Sequence, residues 1–75
     1  MQRYNNRSGE SGVVAYAIAT GAITVEFAGG DRYLYTEQSA GEANVARMHR
    51  LALAGRGLST FISQVVRDGY ARKLK

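Results

Sequence analysis

The chain has 75 residues, of which 45% are hydrophobic and 21% charged, with a formal net charge of +4 and no cysteine. A chain of this length makes one small domain, and the lack of cysteine excludes disulfides and thiolate metal sites. The longest apolar run, Val13 to Ala19, is too short to span a membrane, and the first seven residues are too polar for a secretion signal. We therefore expect a soluble cytoplasmic protein with no membrane contact.

The positive charge is concentrated in the second half of the sequence. Residues 1–41 hold three arginines and four acidic residues, whereas residues 42–75 hold seven basic and two acidic residues. Such asymmetry is a hint of a polyanionic partner, although a solvated helical surface with a basic tail would give the same pattern.

The composition divides the chain into three parts. Residues 1–12 are polar apart from Tyr4, which predicts a flexible lead-in. Residues 13–70 carry the periodic apolar patterns of a single folded domain. Residues 71–75 are predicted to form a basic tail.

Two runs of alternating apolar residues, 14–18 and 23–27, predict the first hairpin, with the turn between Ala19 and Ala22. The predicted pairs are Ile18 with Ile23, Tyr16 with Val25, and Val14 with Phe27.

The second turn contains Gly29 and Gly30 and leads into a third strand over residues 31–36. A two-residue turn would leave Tyr33 and Tyr35 on the open face of the sheet. A three-residue loop would turn both tyrosines toward the core, because a slip of one residue inverts the faces of a strand. The second alternative pairs Val25 with Tyr33 and Ile23 with Tyr35, and we favour it because it buries more apolar area.

Two short helices follow. Ser39 and Glu42 fit a capping box at the start of the first, which ends at the glycine joint of residues 55–57. The predicted apolar stripes are Val45, Met48, Leu51 and Ala52 in the first helix and Leu58, Phe61, Ile62 and Val65 in the second. The expected fold is α+β, a three-stranded antiparallel β-meander followed by two helices packed on one face of the sheet (βββαα).

No set of residues suggests catalysis. His49 is the single histidine, and with no cysteine it cannot form a metal site without several carboxylates. Ser59 and Thr60 lack the surroundings of a nucleophile and are better explained as start signals for the second helix. We therefore predict no enzymatic activity, no metal and no cofactor.

The basic side chains are the strongest functional candidates. Arginine forks suit phosphate oxygens, and cations combined with stacking aromatics hold single-stranded nucleic acid. Tyr33 and Tyr35 could stack on bases only with the two-residue turn. The glycine joint around Arg56 could contact a phosphate, or could simply connect two helices. The candidate nucleic-acid-binding residues are Arg47, Arg50, Arg56, Arg67, Arg72 and Lys73.

The order of several residues resembles the KTSC domain, a family named for the C-terminal domain of some lysyl-tRNA synthetases. The matching features between Ser11 and Tyr70 are Tyr16, Val25-x-Phe27, Gly30, Tyr33-Leu34-Tyr35, the Gly-x-Gly joint, Phe61-Ile62 and Tyr70. The residue between the family's tyrosines is often polar, so Leu34 departs from the pattern. Family members are small bacterial or phage proteins or synthetase appendages, and the resemblance implies the same fold and suggests RNA binding.

Two functions therefore stand as expectations. The first is a small RNA-binding module, for single-stranded or tRNA-like RNA, that contacts phosphates through its arginine-rich half. The alternative is a protein-interaction or homodimeric module that uses an exposed sheet edge. The strand Val13 to Ala19 would suit that role, because alanines line its second face and it contains no lysine.

Overall fold

The computed structural model describes residues 1–6 and 12–75 as an α+β fold built on an antiparallel sheet of five strands. The strands lie side by side in the order in which they occur in the chain. Helices cover one face of this sheet. The strands are β1 (Gln2–Arg3), β2 (Val13–Ala19), β3 (Ala22–Phe27), β4 (Arg32–Thr36) and β5 (Arg72–Lys73). The helices are α1 (Glu37–Ala40), α2 (Glu42–Ala54) and α3 (Leu58–Phe61), which continues into a π-helical segment (Ile62–Val66).

The hairpin of β2 and β3 confirms two of its three predicted pairs, Ile18 with Ile23 and Tyr16 with Val25. The prediction for its far end was wrong. A β-bulge between Val13 and Ala15 places Val13 opposite Phe27, so Val13 is fully buried whereas Val14 is 37% exposed. An extra residue in one strand shifts every residue beyond it to the other face, which explains the exchange.

The hairpin of β3 and β4 has the pairs expected for a three-residue loop, Val25 with Tyr33 and Ile23 with Tyr35. The loop ends at Gly30, whose φ of +95° is easily adopted only by glycine. Tyr35 is buried and Tyr33 packs against the core from its margin. Both tyrosines therefore lie on the helix-covered face, and the two-residue alternative is excluded.

The capping box lies three residues earlier than predicted. Thr36 has an extended backbone at the end of β4, and its hydroxyl accepts a hydrogen bond from the N–H of Ser39 at 3.2 Å. The Ser39 hydroxyl accepts in turn from the N–H of Thr36 at 3.0 Å. Ser39 is thus the N3 residue of the capping box and not its N-cap residue. The one-turn helix α1 is followed by Gly41, the residue directly before α2.

The apolar stripe of the second helical region changes register in the π-helical segment. The N–H of Arg67 donates to the carbonyl of Ile62, five residues earlier. Such a π-helical turn contains more residues than a turn of α-helix. As a result Val66 is buried, whereas Val65, predicted to be core, is 52% exposed. The prediction for Val65 was wrong because it assumed α-helical spacing to the end.

The two edge strands of the sheet, β1 and β5, are short and were not predicted from the sequence. In the lead-in, Gln2–Arg3 pair with β2 and Tyr4 is buried. In the basic tail, Arg72–Lys73 pair with β4. The sheet therefore has five strands rather than three, and the rest of the predicted lead-in, residues 7–11, lies outside the described residues.

The core lies between the sheet and the helices. The helices contribute the fully buried side chains Met48, Leu58 and Val45 to it, so the predicted packing of both helical regions on the meander is confirmed. Within residues 1–6 and 12–75, no helix combines the length and the apolar character that crossing a membrane requires.

Candidate anion-binding surface

Two arginines lie on the solvent side of α2. Val45, Met48 and Ala52 bury the other side of this helix, so Arg47 and Arg50, three residues apart, are both exposed. The guanidinium carbon of Arg47 lies 5.6 Å from the centroid of the Phe61 ring. This cation–π contact restrains the Arg47 side chain while leaving its guanidinium group accessible.

Arg56 is exposed in the joint between α2 and α3. The joint turns sharply because Gly55 and Gly57 have φ of +76° and +80°. Gly55 is buried against Asn5 and leaves no room for a Cβ. The hydroxyl of Tyr4 accepts a hydrogen bond from the N–H of Leu58 at 3.2 Å, so this donor at the start of α3 is already satisfied.

These geometries separate the two interpretations of the glycine joint. The first N–H of α3 is satisfied by Tyr4, and Gly55 packs against the N-terminal segment. Both contacts indicate that the joint is a structural connection between two helices. Any anion contact at the joint would therefore use the side chain of Arg56 and not the backbone.

The arginines of the helical layer have no ionic partner among residues 1–6 and 12–75. The two ion pairs found there join Arg32 to Glu26 at 2.7 Å and Lys73 to Asp31 at 3.4 Å. Arg47, Arg50 and Arg56 form no such pair within these ranges. Their guanidinium groups have the fork geometry that suits phosphate or carboxylate oxygens.

The other predicted basic residues are placed elsewhere. Arg67 is exposed at the end of the π-helical segment, with φ of +54°. On β5, Arg72 is opposite Leu34 and Lys73 is opposite Tyr33. Successive strand residues point to opposite faces, so Arg72 lies on the open sheet face and Lys73 on the helix side. The six predicted residues therefore do not form one continuous surface.

The tyrosines form an aromatic cluster beside β5. The ring of Tyr70 lies 4.6 Å from that of Tyr33 and 6.2 Å from that of Tyr35, while Phe27 meets Tyr33 edge-on at 5.8 Å. Burial, with smaller effects from the neighbouring Tyr33 and Tyr70 hydroxyls, raises the pKa of Tyr35 to about 12. These rings stabilise the fold and present no stacking platform on the open face of the sheet.

His49 has a structural contact. Its Nε2 lies 2.7 Å from the carbonyl oxygen of Ala22. A carbonyl can only accept a hydrogen bond, so Nε2 carries the proton and the ring links α2 to β3. In the described part of the chain, no group of three or more histidine, aspartate or glutamate side chains could hold a metal ion.

A groove of about 610 Å³ runs between α2 and the α3/π-helical region. Its lining is mainly aliphatic and aromatic, with Arg47 as its only charged residue. Sequence reasoning missed this groove because only the π-helical winding turns Val65 outward into it. The lining residues are Arg47, Leu51, Gly57, Thr60, Phe61, Gln64 and Val65.

Comparisons with known proteins add no assignment. A scan against protein-family models finds no match, and searches of the curated proteins and of the solved structures find none either. The resemblance to the KTSC domain stays a prediction from the residues that carry it.

Proposed function

We propose that this chain is a small, non-catalytic nucleic-acid-binding module whose ligand is single-stranded RNA. Arg47, Arg50 and Arg56 would contact the phosphates. The single observation that carries the proposal is that these three arginines are exposed on the helical layer without a carboxylate partner among the described residues.

The remaining basic residues have a smaller part in this proposal. Arg67, Arg72 and Lys73 add to the positive field that attracts a polyanion, but they lie away from the α2 surface or, for Lys73, beside Asp31. Because Tyr33 and Tyr35 face the core, binding would depend on phosphate contacts rather than on base stacking. We therefore expect weak sequence preference and strong salt dependence.

A salt titration tests this proposal. If three phosphates are contacted, the logarithm of the binding constant for a single-stranded RNA should fall with the logarithm of the salt concentration with a slope of about −2. Fluorescence anisotropy of a labelled oligouridine at low and moderate salt gives both the affinity and the slope.

A matched pair of variants locates the site. The double variant Arg47→Glu/Arg50→Glu should weaken binding by more than about tenfold and flatten the salt slope. The control, Arg3→Glu/Lys75→Glu, changes the net charge equally at two exposed residues outside the six candidate positions. Absence of binding at low salt, or equal losses in both variants, would refute the proposal.

The relation to the KTSC domain is part of the same proposal. Three of the four tyrosines that carry the resemblance lie in one cluster, in which Tyr70 contacts both Tyr33 and Tyr35. The Gly-x-Gly joint has positive φ at both glycines, which gives a physical reason for that motif.

We also propose that the chain lacks catalytic activity. The single histidine, His49, uses its Nε2 to link α2 to β3, and in the described part of the chain no group of three or more histidine, aspartate or glutamate side chains could hold a metal ion. Incubation with RNA followed by electrophoresis provides a direct check, because intact RNA is expected.

The sheet-edge alternative has less support than RNA binding. β1 pairs with β2 at Ala15 and Tyr16, and β5 covers part of the free edge of β4. Among the described residues of β2 and β4, the stretches that extend beyond these edge strands are short, Ala17 to Ala19 in β2 and Tyr35 to Thr36 in β4. Stretches of two or three residues offer little length for adding a strand from another chain.

A further inference from the structure

We propose that the groove between α2 and the α3/π-helical region docks an acidic amphipathic helix from another protein. The site is separate in its chemistry from the proposed RNA surface, because it selects apolar side chains. It shares Arg47 with that surface, and Arg50, on the same side of α2, lies near its rim.

The groove exposes apolar surface that the fold could have buried. In an α-helix Val65 would follow the stripe of Leu58 and Phe61, but the π-helical winding buries Val66 instead and leaves Val65 52% exposed. Local π-helical insertions occur frequently at functional sites. Val65 forms the groove wall together with Phe61, and Leu51 of α2 faces them.

The shape and size of the groove suit a helix. Its walls are two helical segments that meet at the joint containing Gly57, and its volume of about 610 Å³ can hold a few apolar side chains. Helices that bind in such grooves present apolar residues at i, i+3 or i+4, and i+7. A third helix packed on this pair would bury the exposed side of Val65.

The positive charge at the rim of the groove favours a negatively charged ligand. Arg47 is the only charged residue of the lining, and it has no carboxylate partner among the described residues. Arg50 lies on the same side of α2. An apolar helix flanked by aspartate or glutamate would pair with these guanidinium groups, whereas a basic helix would be repelled.

A second copy of this chain does not provide such a helix. Leu53 and Leu74 are its most exposed leucines, at 68% and 43%. Leu74 lies between Lys73 and Lys75, and Leu53 is three residues from Arg50. Either would bring positive charge to a positive rim.

A nucleobase also fits the groove less well. Base recognition in single strands relies on open aromatic faces, but the guanidinium of Arg47 already covers one face of Phe61. The remaining large apolar side chains of the lining, Leu51 and Val65, are aliphatic, and its uncharged polar side chains are Thr60 and Gln64. This lining favours leucine-like side chains over a planar base.

The test begins with a displayed library of helical peptides of about 16 residues that keep the i, i+3 or i+4, i+7 apolar pattern and vary the flanking positions among acidic, basic and neutral residues. Selection against the intact chain should enrich net-acidic peptides. A synthetic peptide of an enriched sequence, and its copy with lysine at every acidic position, are then titrated by fluorescence anisotropy.

Matched variants decide whether the groove is the site. Val65→Asp should weaken binding of the acidic peptide at least about tenfold, while Leu53→Asp, the same change at a more exposed apolar residue, should leave it unchanged. Arg47→Glu should reverse the preference toward the lysine copy. Thermal melting confirms that each variant is folded, and amide shifts on peptide addition should concentrate along the groove.

Several outcomes would overturn the inference: no enriched peptide, equal losses in Val65→Asp and Leu53→Asp, or a preference for the basic copy. Groove amide shifts produced by an oligonucleotide but not by any peptide would assign the groove to a base instead. The two proposals can fail separately. Val65→Asn removes the apolar side chain without placing a negative charge in the groove that Arg47 lines, so it should weaken peptide binding and retain the RNA affinity of the unmodified chain.

Discussion

Replacing Tyr4 by phenylalanine tests how the N-terminal segment holds the second helical region. Tyr4 is 3% exposed, and its hydroxyl oxygen accepts the hydrogen bond of the Leu58 N–H at 3.2 Å, where Leu58 is fully buried. The variant keeps the ring and removes only the acceptor. A buried N–H left without a partner costs about 1–3 kcal/mol, and loss of a helix cap costs about 0.5–2 kcal/mol.

We therefore expect Tyr4→Phe to lower the free energy of unfolding by about 1–2 kcal/mol. A domain of this length has a total stability of roughly 4–11 kcal/mol, so the loss is a substantial share. The corresponding fall in melting temperature is about 5–15 °C. Urea denaturation followed by circular dichroism measures it, and the dependence on urea should keep its slope because the buried area is unchanged.

Tyr70→Phe is the matched control, since Tyr70 is 37% exposed and its hydroxyl makes no hydrogen bond found in the described part of the chain. We expect it to change stability by less than about 0.5 kcal/mol. Amide exchange at Leu58 should also accelerate in Tyr4→Phe alone. Equal stabilities of the two variants, with unchanged Leu58 exchange, would show that the hydroxyl does not cap α3.

Three further changes test the fold. Gly55→Ala should destabilise the protein by about 1–3 kcal/mol in thermal melts, because φ is +76° and the added Cβ would meet the N-terminal segment, whereas Gly29→Ala, with open space around it, should be neutral. Val66→Ala should cost more than about 1 kcal/mol and Val65→Ala less than 0.5 kcal/mol in urea titrations; the reverse order would contradict the π-helical winding. The raised pKa of Tyr35 favours the neutral phenol in the folded state. The contribution of Tyr35 to the free energy of unfolding is therefore complete below pH 10 and is lost as the pH rises toward 12. This loss, on the order of 2–3 kcal/mol, should be absent in Tyr35→Phe when stability is compared at these pH values.

Alternating and helical periodicity predicted the parts of the fold that depend on local pattern. The meander follows from the apolar rows that contain Tyr16 and Val25, and the inward tyrosines follow from counting how much apolar area each turn would bury. The arginines of α2 were also placed correctly on its outer side, since Val45 and Met48 define the buried side.

The errors arise where tertiary contacts override local pattern. A single β-bulge buries Val13 in place of Val14, and a single π-helical turn buries Val66 in place of Val65. Nothing in the alternation or in the helical stripe marks either insertion. Tyr4 resembles an isolated apolar residue in a polar segment, and its partner Leu58 is too distant in sequence for a local signal to exist.

The two-residue edge strands have a consequence for aggregation. β1 and β5 each hold only a short stretch of sheet edge, and short terminal strands open at a small fraction of the cost of global unfolding. When either one frays, the unpaired backbone groups of β2 or β4 become available to another chain. We therefore expect self-association of this protein to begin from a nearly native state, with the meander intact, rather than from the denatured chain.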